Sequence, residues 1–132
     1  MAGVKGINRF NRRNVERYVS KVLTKRHFNP APIIAPVLDC REVSLIRQGI
    51  CPFCERDYGS VRKLRTHLHR NRRCSIAFSI LVKELARKYV EFREAIRYRR
   101  VGGIYVVKLK ANGHTFLSFY EAFNYLNPRW WS

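Results

Sequence analysis

The spacing of apolar residues predicts two helices that each bury one face. Over residues 11–25, valine, tyrosine and leucine recur at intervals of three and four. Asn11 or Asn14 could cap the start of this helix. Over residues 75–99 a longer apolar seam keeps the same alternation, and Ser75 stands at its start. We expect this second helix to pack within the domain. The seam consists of Phe78, Val82, Leu85, Tyr89, Phe92 and Ile96.

A proline-rich segment follows the first predicted helix. Residues 28–37 contain three prolines. Proline lacks a backbone N–H and disfavours helical backbone at the residue before it. The pattern therefore predicts an extended connector, with Ile33 and Ile34 packed on a neighbouring element.

A short helix is predicted after this connector, over residues 40–48. Asp39 and Glu42 have the spacing of a capping box, in which two side chains satisfy N–H groups at a helix start. Gly49 then stands where helices commonly end.

The apolar period changes after the long helix, which Gly102 and Gly103 are expected to end. Ile104–Leu109 is rich in β-branched and aromatic residues, and Asn112-Gly113 is a strong hairpin turn. Residues 114–117 supply the returning strand. The sequence thus predicts a two-stranded hairpin.

A terminal helix over Phe119–Leu126 completes the predicted fold, with Ser118 and Glu121 as its capping box and Pro128 after its end. The fold class is α+β. The predicted organisation is a basic tail at 1–10; a basic helix, connector and short helix at 11–50; a metal-binding segment at 51–74; and the long helix, hairpin and terminal helix at 75–132.

The net charge of the chain limits the classes of molecule that it is expected to bind. The 132 residues include 27 Lys and Arg against 9 Asp and Glu, which gives a formal charge of +18. Each third of the chain is positive, and such a balance favours a polyanion, most often nucleic acid. No apolar run approaches the roughly 20 residues of a membrane span. We therefore expect a cytoplasmic protein with no membrane partner.

The metal-binding segment begins with Cys51 and Cys54, which are separated by two residues. Twelve residues then separate Cys54 from His67, with Tyr58 and Leu64 between them. A tight turn can direct two thiolates at one metal ion, and a following helix can return a histidine to it. A segment this short cannot bury enough apolar surface to fold alone, so the metal would supply stability.

These residues resemble the two-Cys, two-His zinc finger family, with Tyr58 and Leu64 at its two apolar core positions. The resemblance implies a single ββα finger, with a small hairpin over 51–58, a helix over 61–69 and one structural zinc ion.

The fourth ligand departs from the family, and Cys74 is the residue predicted for it. On a continuous helix, residues seven positions apart lie roughly 10 Å apart along the axis, too far for one zinc ion. His67 and Cys74 can share the ion only if the helix stops between them, and Asn71 is the predicted break. His69 or Cys40 is an alternative ligand. The predicted ligand set is Cys51, Cys54, His67 and Cys74.

Catalytic motifs are not found. There is no glycine-rich phosphate loop, and the acidic residues are scattered rather than paired. His67 beside Cys74 could be interpreted as a base and a nucleophile. A zinc site explains the same two residues together with Cys51 and Cys54, so the sequence favours a binding protein over an enzyme.

The predicted nucleic-acid contacts lie on the finger and the first helix. A ribosomal-type protein bound to structured RNA is favoured, because one finger reads only about three base pairs and the charge is spread along the chain. A duplex-DNA transcription regulator, of archaeal-virus or cellular zinc-finger type, is the alternative, with Ser60, Lys63 and Thr66 at the base-reading positions. A homodimer is not favoured. The predicted phosphate-binding residues are Arg62, Lys63, Arg65, Arg70, Arg72, Arg73, Arg12, Arg13 and Arg17.

Overall fold

The computed structural model describes residues 11–25 and 30–127. They form five α-helices and one three-stranded antiparallel sheet, which confirms the α+β class. The predicted tail at 1–10 and the C-terminal Pro128 lie outside the described residues. The helices are α1 (Arg12–Thr24), α2 (Arg41–Arg47), α3 (Val61–Arg70), α4 (Arg72–Ala95) and α5 (Phe119–Leu126). The strands are β1 (Ile96–Val101), β2 (Ile104–Leu109) and β3 (Thr115–Phe116).

Helix α1 packs against α4, and the apolar spacing of each helix predicts the face that it buries. Asn11 caps α1, and its Oδ1 accepts a hydrogen bond from the Arg13 N–H at 2.9 Å. The rings of Tyr18 on α1 and Tyr89 on α4 lie 6.1 Å apart. Burying one face of α1 removes its apolar side chains from water and leaves its cations exposed. The buried residues of α1 are Val15, Val19, Val22 and Leu23.

From Pro32 onward the proline-rich segment is not extended, in contrast to the prediction, and its residues 28 and 29 lie outside the described residues. Pro32–Ile34 forms a 3₁₀ turn, and the Ile34 N–H donates to the Ala31 carbonyl oxygen at 3.1 Å. Proline suits the first position of a helical turn, because its fixed φ is compatible with helix and its missing N–H would be unpaired there. The expected packing is confirmed, since Ile33 and Ile34 are 2% and 0% exposed.

The capping box predicted for the short helix α2 is wrong. Cys40 rather than Asp39 is the N-cap residue, and no side chain makes a capping hydrogen bond there. The burial of Val43 and Ile46 holds α2 in place instead. Tertiary packing therefore replaces a local signal in fixing this element.

The long helix ends at Ala95, several residues before the predicted end, and the chain continues as β1. Ile96 of β1 pairs with Leu109 of β2, and both side chains are buried. Gly102 and Gly103 do not end a helix. They form the β1–β2 turn with φ of +57° and +86°, the backbone that a tight hairpin requires. The sheet therefore has three strands where the sequence predicts two.

Helix α5 covers one face of the sheet. Phe119 of α5 lies 5.0 Å from the ring of Tyr98 and 4.9 Å from that of Tyr105, between ring centroids. Phe123 meets Phe92 of α4 edge-to-face at 5.1 Å. Such aromatic pairs contribute about 0.5–1.5 kcal/mol each beyond the area they bury. These aromatic contacts thus join α5 to both α4 and the sheet.

The start of α5 agrees with the prediction. Ser118 is the N-cap residue, and its Oγ accepts a hydrogen bond from the Glu121 N–H at 3.1 Å.

Among the described residues, no helix has both the length and the apolar character needed to cross a membrane.

Candidate metal centre

Four side chains meet at the junction of α3 and α4: Cys51, Cys54, His67 and Cys74. One potential ligand atom from each lies within 4.8 Å of all the others. Tetrahedral zinc–sulfur bonds of about 2.3 Å place two sulfur ligands roughly 3.8 Å apart. The Sγ of Cys54 and the Nε2 of His67 are already 3.6 Å apart. The cluster therefore has the size of a site for one small metal ion.

The first two ligands lie on a tight turn. The Cys51 N–H donates to the Arg56 carbonyl oxygen at 2.9 Å, and the Glu55 N–H donates to the Cys51 carbonyl oxygen at 2.8 Å. Glu55 has a φ of +64°, a left-handed conformation that costs about 1–3 kcal/mol in a residue other than glycine. This closed turn directs Cys51 and Cys54 toward the same point.

In place of the small hairpin predicted over 51–58, the structure has one isolated β-bridge, between Ile50 and Asp57. The Tyr58 N–H donates to the Gly49 carbonyl oxygen at 2.9 Å and closes the same loop. Gly49 has a φ of +82°, and a Cβ there would lie 2.6 Å from the Ser60 backbone nitrogen. The close approach of the Gly49 and Ser60 backbones, rather than a pair of strands, therefore helps to position Cys51 and Cys54.

Helix α3 brings His67 to the cluster. The Ser60 Oγ caps the helix by accepting a hydrogen bond from the Lys63 N–H at 3.2 Å. Leu64 and Leu68 are buried and fix the rotation of the helix about its axis. His67 lies beside them, half-buried, and its imidazole reaches the thiols.

Tyr58 orients the histidine ring. Its ring stacks on His67 at 4.4 Å with an interplanar angle of 22°, and its hydroxyl lies 2.8 Å from Nδ1. With Nδ1 engaged in this way, Nε2 is the nitrogen that faces the cluster. Histidine ligands generally hold their second nitrogen in such a hydrogen bond. The sequence predicts only an apolar core role for Tyr58, although its hydroxyl distinguishes it from phenylalanine.

Asn71 brings Cys74 back to the same point, as predicted. Its N–H donates to the His67 carbonyl oxygen at 2.8 Å, and its Oδ1 accepts from the Cys74 N–H at 3.0 Å. Asn71 itself has φ −89° and ψ 114°, which interrupts the helix between α3 and α4. The second helix begins at Arg72, however, and not at Ser75. Cys74 therefore lies in the first turn of α4.

Two thiols of the cluster, those of Cys54 and Cys74, have shifted pKa values. Burial, followed by the neighbouring Cys51 and Cys54, raises the pKa of Cys74 to about 12. Burial also opposes ionisation of Cys54, but hydrogen bonds from the Arg56 backbone and the neighbouring side chains outweigh it and lower its pKa. A cation at the centre of the cluster reverses the mutual repulsion of thiolates, because its charge favours the deprotonated form of each ligand.

The two alternative ligands lie elsewhere. His69 faces a groove that Ser20 and Phe78 also line, on a different side of α3 from His67. Cys40 is the N-cap residue of α2. Burial raises the pKa of its thiol, and a hydrogen bond from the Val43 backbone offsets only part of that rise. Within the described residues, the metal-sized cluster includes neither of them.

The nine predicted phosphate-binding residues are all exposed, on α1, α3 and the start of α4. Within the described part of the chain, no carboxylate lies at salt-bridge distance from any of them. Lys63, Thr66 and Arg70 line a shallow depression next to His67. The nine residues are Arg12, Arg13, Arg17, Arg62, Lys63, Arg65, Arg70, Arg72 and Arg73.

The three base-reading positions implied by the zinc finger resemblance are not equally free. Ser60 uses its hydroxyl oxygen to cap α3. The Thr66 hydroxyl donates to the Arg62 carbonyl oxygen at 3.3 Å. Lys63 thus has the most accessible polar group of the three.

Sequence reasoning missed a further group of exposed cations, on β1. Arg97 and Arg99 were expected within the long helix, and the structure places them in the sheet. Strong strand-forming residues around them, namely Tyr98 and Val101, were the available signal.

Comparison with known proteins leaves the chain without an assigned family. No protein-family model matches it, no curated protein matches its sequence, and no solved structure matches its fold.

Proposed function

We propose that this chain is a non-enzymatic nucleic-acid-binding protein, with one structural zinc ion at the junction of α3 and α4. The observation that carries the proposal is the position of the Cys/His cluster. Two of its proposed ligands, Cys51 and Cys74, belong to the hydrophobic core, while α3 and the first turn of α4 expose cations that form no ion pair with a described carboxylate.

Zinc is proposed because of the donor set. Three thiolates and one imidazole are the ligands that structural zinc takes, at the size of cluster described above. The arrangement offers four protein ligands, so zinc would have no open position for a substrate or an activated water. A structural role follows from this closed set.

Nucleic acid is proposed because of the cations. Arg62, Lys63 and Arg65 are all exposed on α3, and Arg72 and Arg73, also exposed, begin α4. Clustered cations repel one another, and a polyphosphate removes that repulsion. Arginine also binds phosphate in a bidentate manner.

Structured RNA is the partner proposed for the cations of α1, α3 and the start of α4, because the charge is spread over every third of the chain. Duplex DNA is a second candidate, because one face of the sheet is basic and none of the described helices covers it. A competition between a structured RNA and a random-sequence duplex DNA, at one stated salt concentration, decides between them. An enriched duplex motif that outcompetes the RNA would reverse the preference.

The binding surface is tested by reversing two charges on α3. R62E/R65E should weaken nucleic-acid binding at least tenfold. The slope of log affinity against log salt should also fall, by roughly 0.7–0.9 for each phosphate that the variant no longer neutralises. R47E/K83E is the matched control, because it changes the net charge equally at exposed positions on α2 and α4. Equal binding by the two variants, with metal still bound, would reject the surface.

A further inference from the structure

One face of the three-stranded sheet is bare in the described part of the chain. Side chains alternate between the two faces along each strand, and α5 covers the face that carries Tyr98, Tyr105 and Val107. On the opposite face only Val106 is partly buried. The residues of this bare face are Arg97, Arg99, Val101, Ile104, Val106, Lys108 and Thr115.

The bare face carries three cations and no acid. Arg97 lies directly opposite Lys108 in the β1–β2 register, and Arg99 is two residues further along β1. Like charges on directly opposed residues destabilise a sheet. Glu94 lines a groove together with Arg97, but no described carboxylate forms an ion pair with Arg97, Arg99 or Lys108. The stability of the fold gives no reason to place these three like charges on one face, whereas a bound polyanion would neutralise them.

The shape of the sheet fits a groove. Strands β1 and β2 pair over all six positions, whereas β3 pairs only with Val107 and Lys108. Beyond β3 the sheet therefore continues as a two-stranded ribbon that ends at the Gly102-Gly103 turn. The major groove of B-form DNA, about 12 Å wide, admits such a ribbon, whereas the major groove of A-form RNA is too narrow.

The chemistry of the bare face also distinguishes duplex from single strand. Proteins that bind single-stranded nucleic acid use exposed aromatic rings on which the bases stack. None of the seven residues of the bare face is aromatic. The exposed apolar residues Val101 and Ile104 suit contact with the C5-methyl group of thymine, which lies in the major groove.

We infer that the bare face of the β1–β2 ribbon binds duplex DNA in the major groove, with Arg97, Arg99 and Lys108 as its contacts to phosphate and bases. This inference rests on the proposed nucleic-acid binding. It adds a second surface, separate from the cations of α3 and from the metal centre.

The test compares R97E/R99E with the same control, R47E/K83E, on random-sequence duplex DNA. R97E/R99E should weaken binding at least tenfold more than the control, while binding of an RNA duplex falls equally in both. R97Q/R99Q provides a milder variant if the reversal prevents folding, and it should still weaken DNA binding more than R47Q/K83Q. Equal losses in the two pairs, or a larger loss on RNA than on DNA, would overturn the inference.

The groove is tested on the DNA itself. A duplex whose cytosines carry a bulky substituent at C5, which projects into the major groove, should bind more weakly than the unmodified duplex. A minor-groove ligand should not compete. Undiminished binding of the modified duplex, together with competition by the minor-groove ligand, would overturn the inference. If R62E/R65E weakens binding and R97E/R99E does not, the proposed function stands and this second surface does not exist.

Discussion

Tyr58 has two roles at the residue scale: its ring packs on His67, and its hydroxyl group positions the imidazole. Its ring would pack in the same place if it were phenylalanine, because the stacking on His67 requires only the ring. The hydroxyl adds the contact with Nδ1 at 2.8 Å. That contact fixes the ring rotation that places Nε2 beside the Sγ of Cys54.

We therefore expect Y58F to weaken zinc binding by about tenfold, the lower end of the effect of residues that hydrogen-bond to a metal ligand. The fold should be retained, because the ring remains. Competition with a chelator of known affinity measures the change, and the visible spectrum of the cobalt-substituted protein reports any change in ligand geometry.

Y125F is the control for that measurement, because it removes a tyrosine hydroxyl from a stacked Tyr–His pair away from the cluster. Tyr125 stacks on His114 at 5.1 Å with an interplanar angle of 8°. Its substitution should leave zinc affinity unchanged. If Y58F and Y125F bind zinc equally well, Tyr58 has a packing role only.

At the scale of elements, Asn71 joins two helices and one candidate metal ligand, Cys74. It ends α3 through its N–H and begins α4 through its Oδ1, which accepts from the Cys74 N–H. An N-cap side chain contributes about 1 kcal/mol to stability. Here the same bond also fixes the backbone of Cys74, so loss of the cap should affect the metal centre as well.

N71A should therefore lower both the melting temperature and the zinc affinity. S118A removes an equivalent cap, from α5, because Ser118 accepts from the Glu121 N–H in the same way. It should lower the melting temperature by a similar amount and leave zinc affinity unchanged. Calorimetry and a chelator competition on both variants make the comparison, and equal zinc affinity in the two would contradict the role given to Asn71.

The elements that the sequence predicts well are those with local signals. Helix α5 has its cap at Ser118, and α1 has its cap at Asn11. Strand β1 was missed because Ile96 continues the apolar seam of α4 at helical spacing. Its pairing with Leu109 depends on a partner that is distant in sequence, and no local pattern records it. Strand propensity depends strongly on such context.

The cluster of Cys51, Cys54, His67 and Cys74 was predictable because its signal is a local spacing in the sequence. The spacing of Cys51, Cys54 and His67 follows from the geometry of one ion, and the axial rise of a helix required a break before Cys74. The structure has that break at Asn71. The bare face of the sheet could not be predicted, because it exists only once β1 has paired with β2.

At the scale of the whole molecule, the metal centre and the hydrophobic core are continuous. Leu64 and Cys51 are both 0% exposed, and they belong to the same core as Val19 of α1 and Phe92 of α4. Loss of the ion would leave buried thiols crowded together at the junction of α3 and α4. We therefore expect its loss to destabilise the entire described fold and not the metal-binding segment alone.

With zinc present at one hundred times its Kd, binding of the proposed ion contributes about 2.7 kcal/mol to the free energy of unfolding. We therefore expect removal of zinc to lower the melting temperature by roughly 10 °C. Circular dichroism should show one cooperative transition, with α1 and α4 unfolding together with the metal-binding segment. C74S should be insensitive to chelation, whereas C40S, which changes a thiol outside the cluster, should respond as the unmodified protein does. An unchanged melting temperature after chelation, with metal loss verified by elemental analysis, would exclude a structural role for the ion.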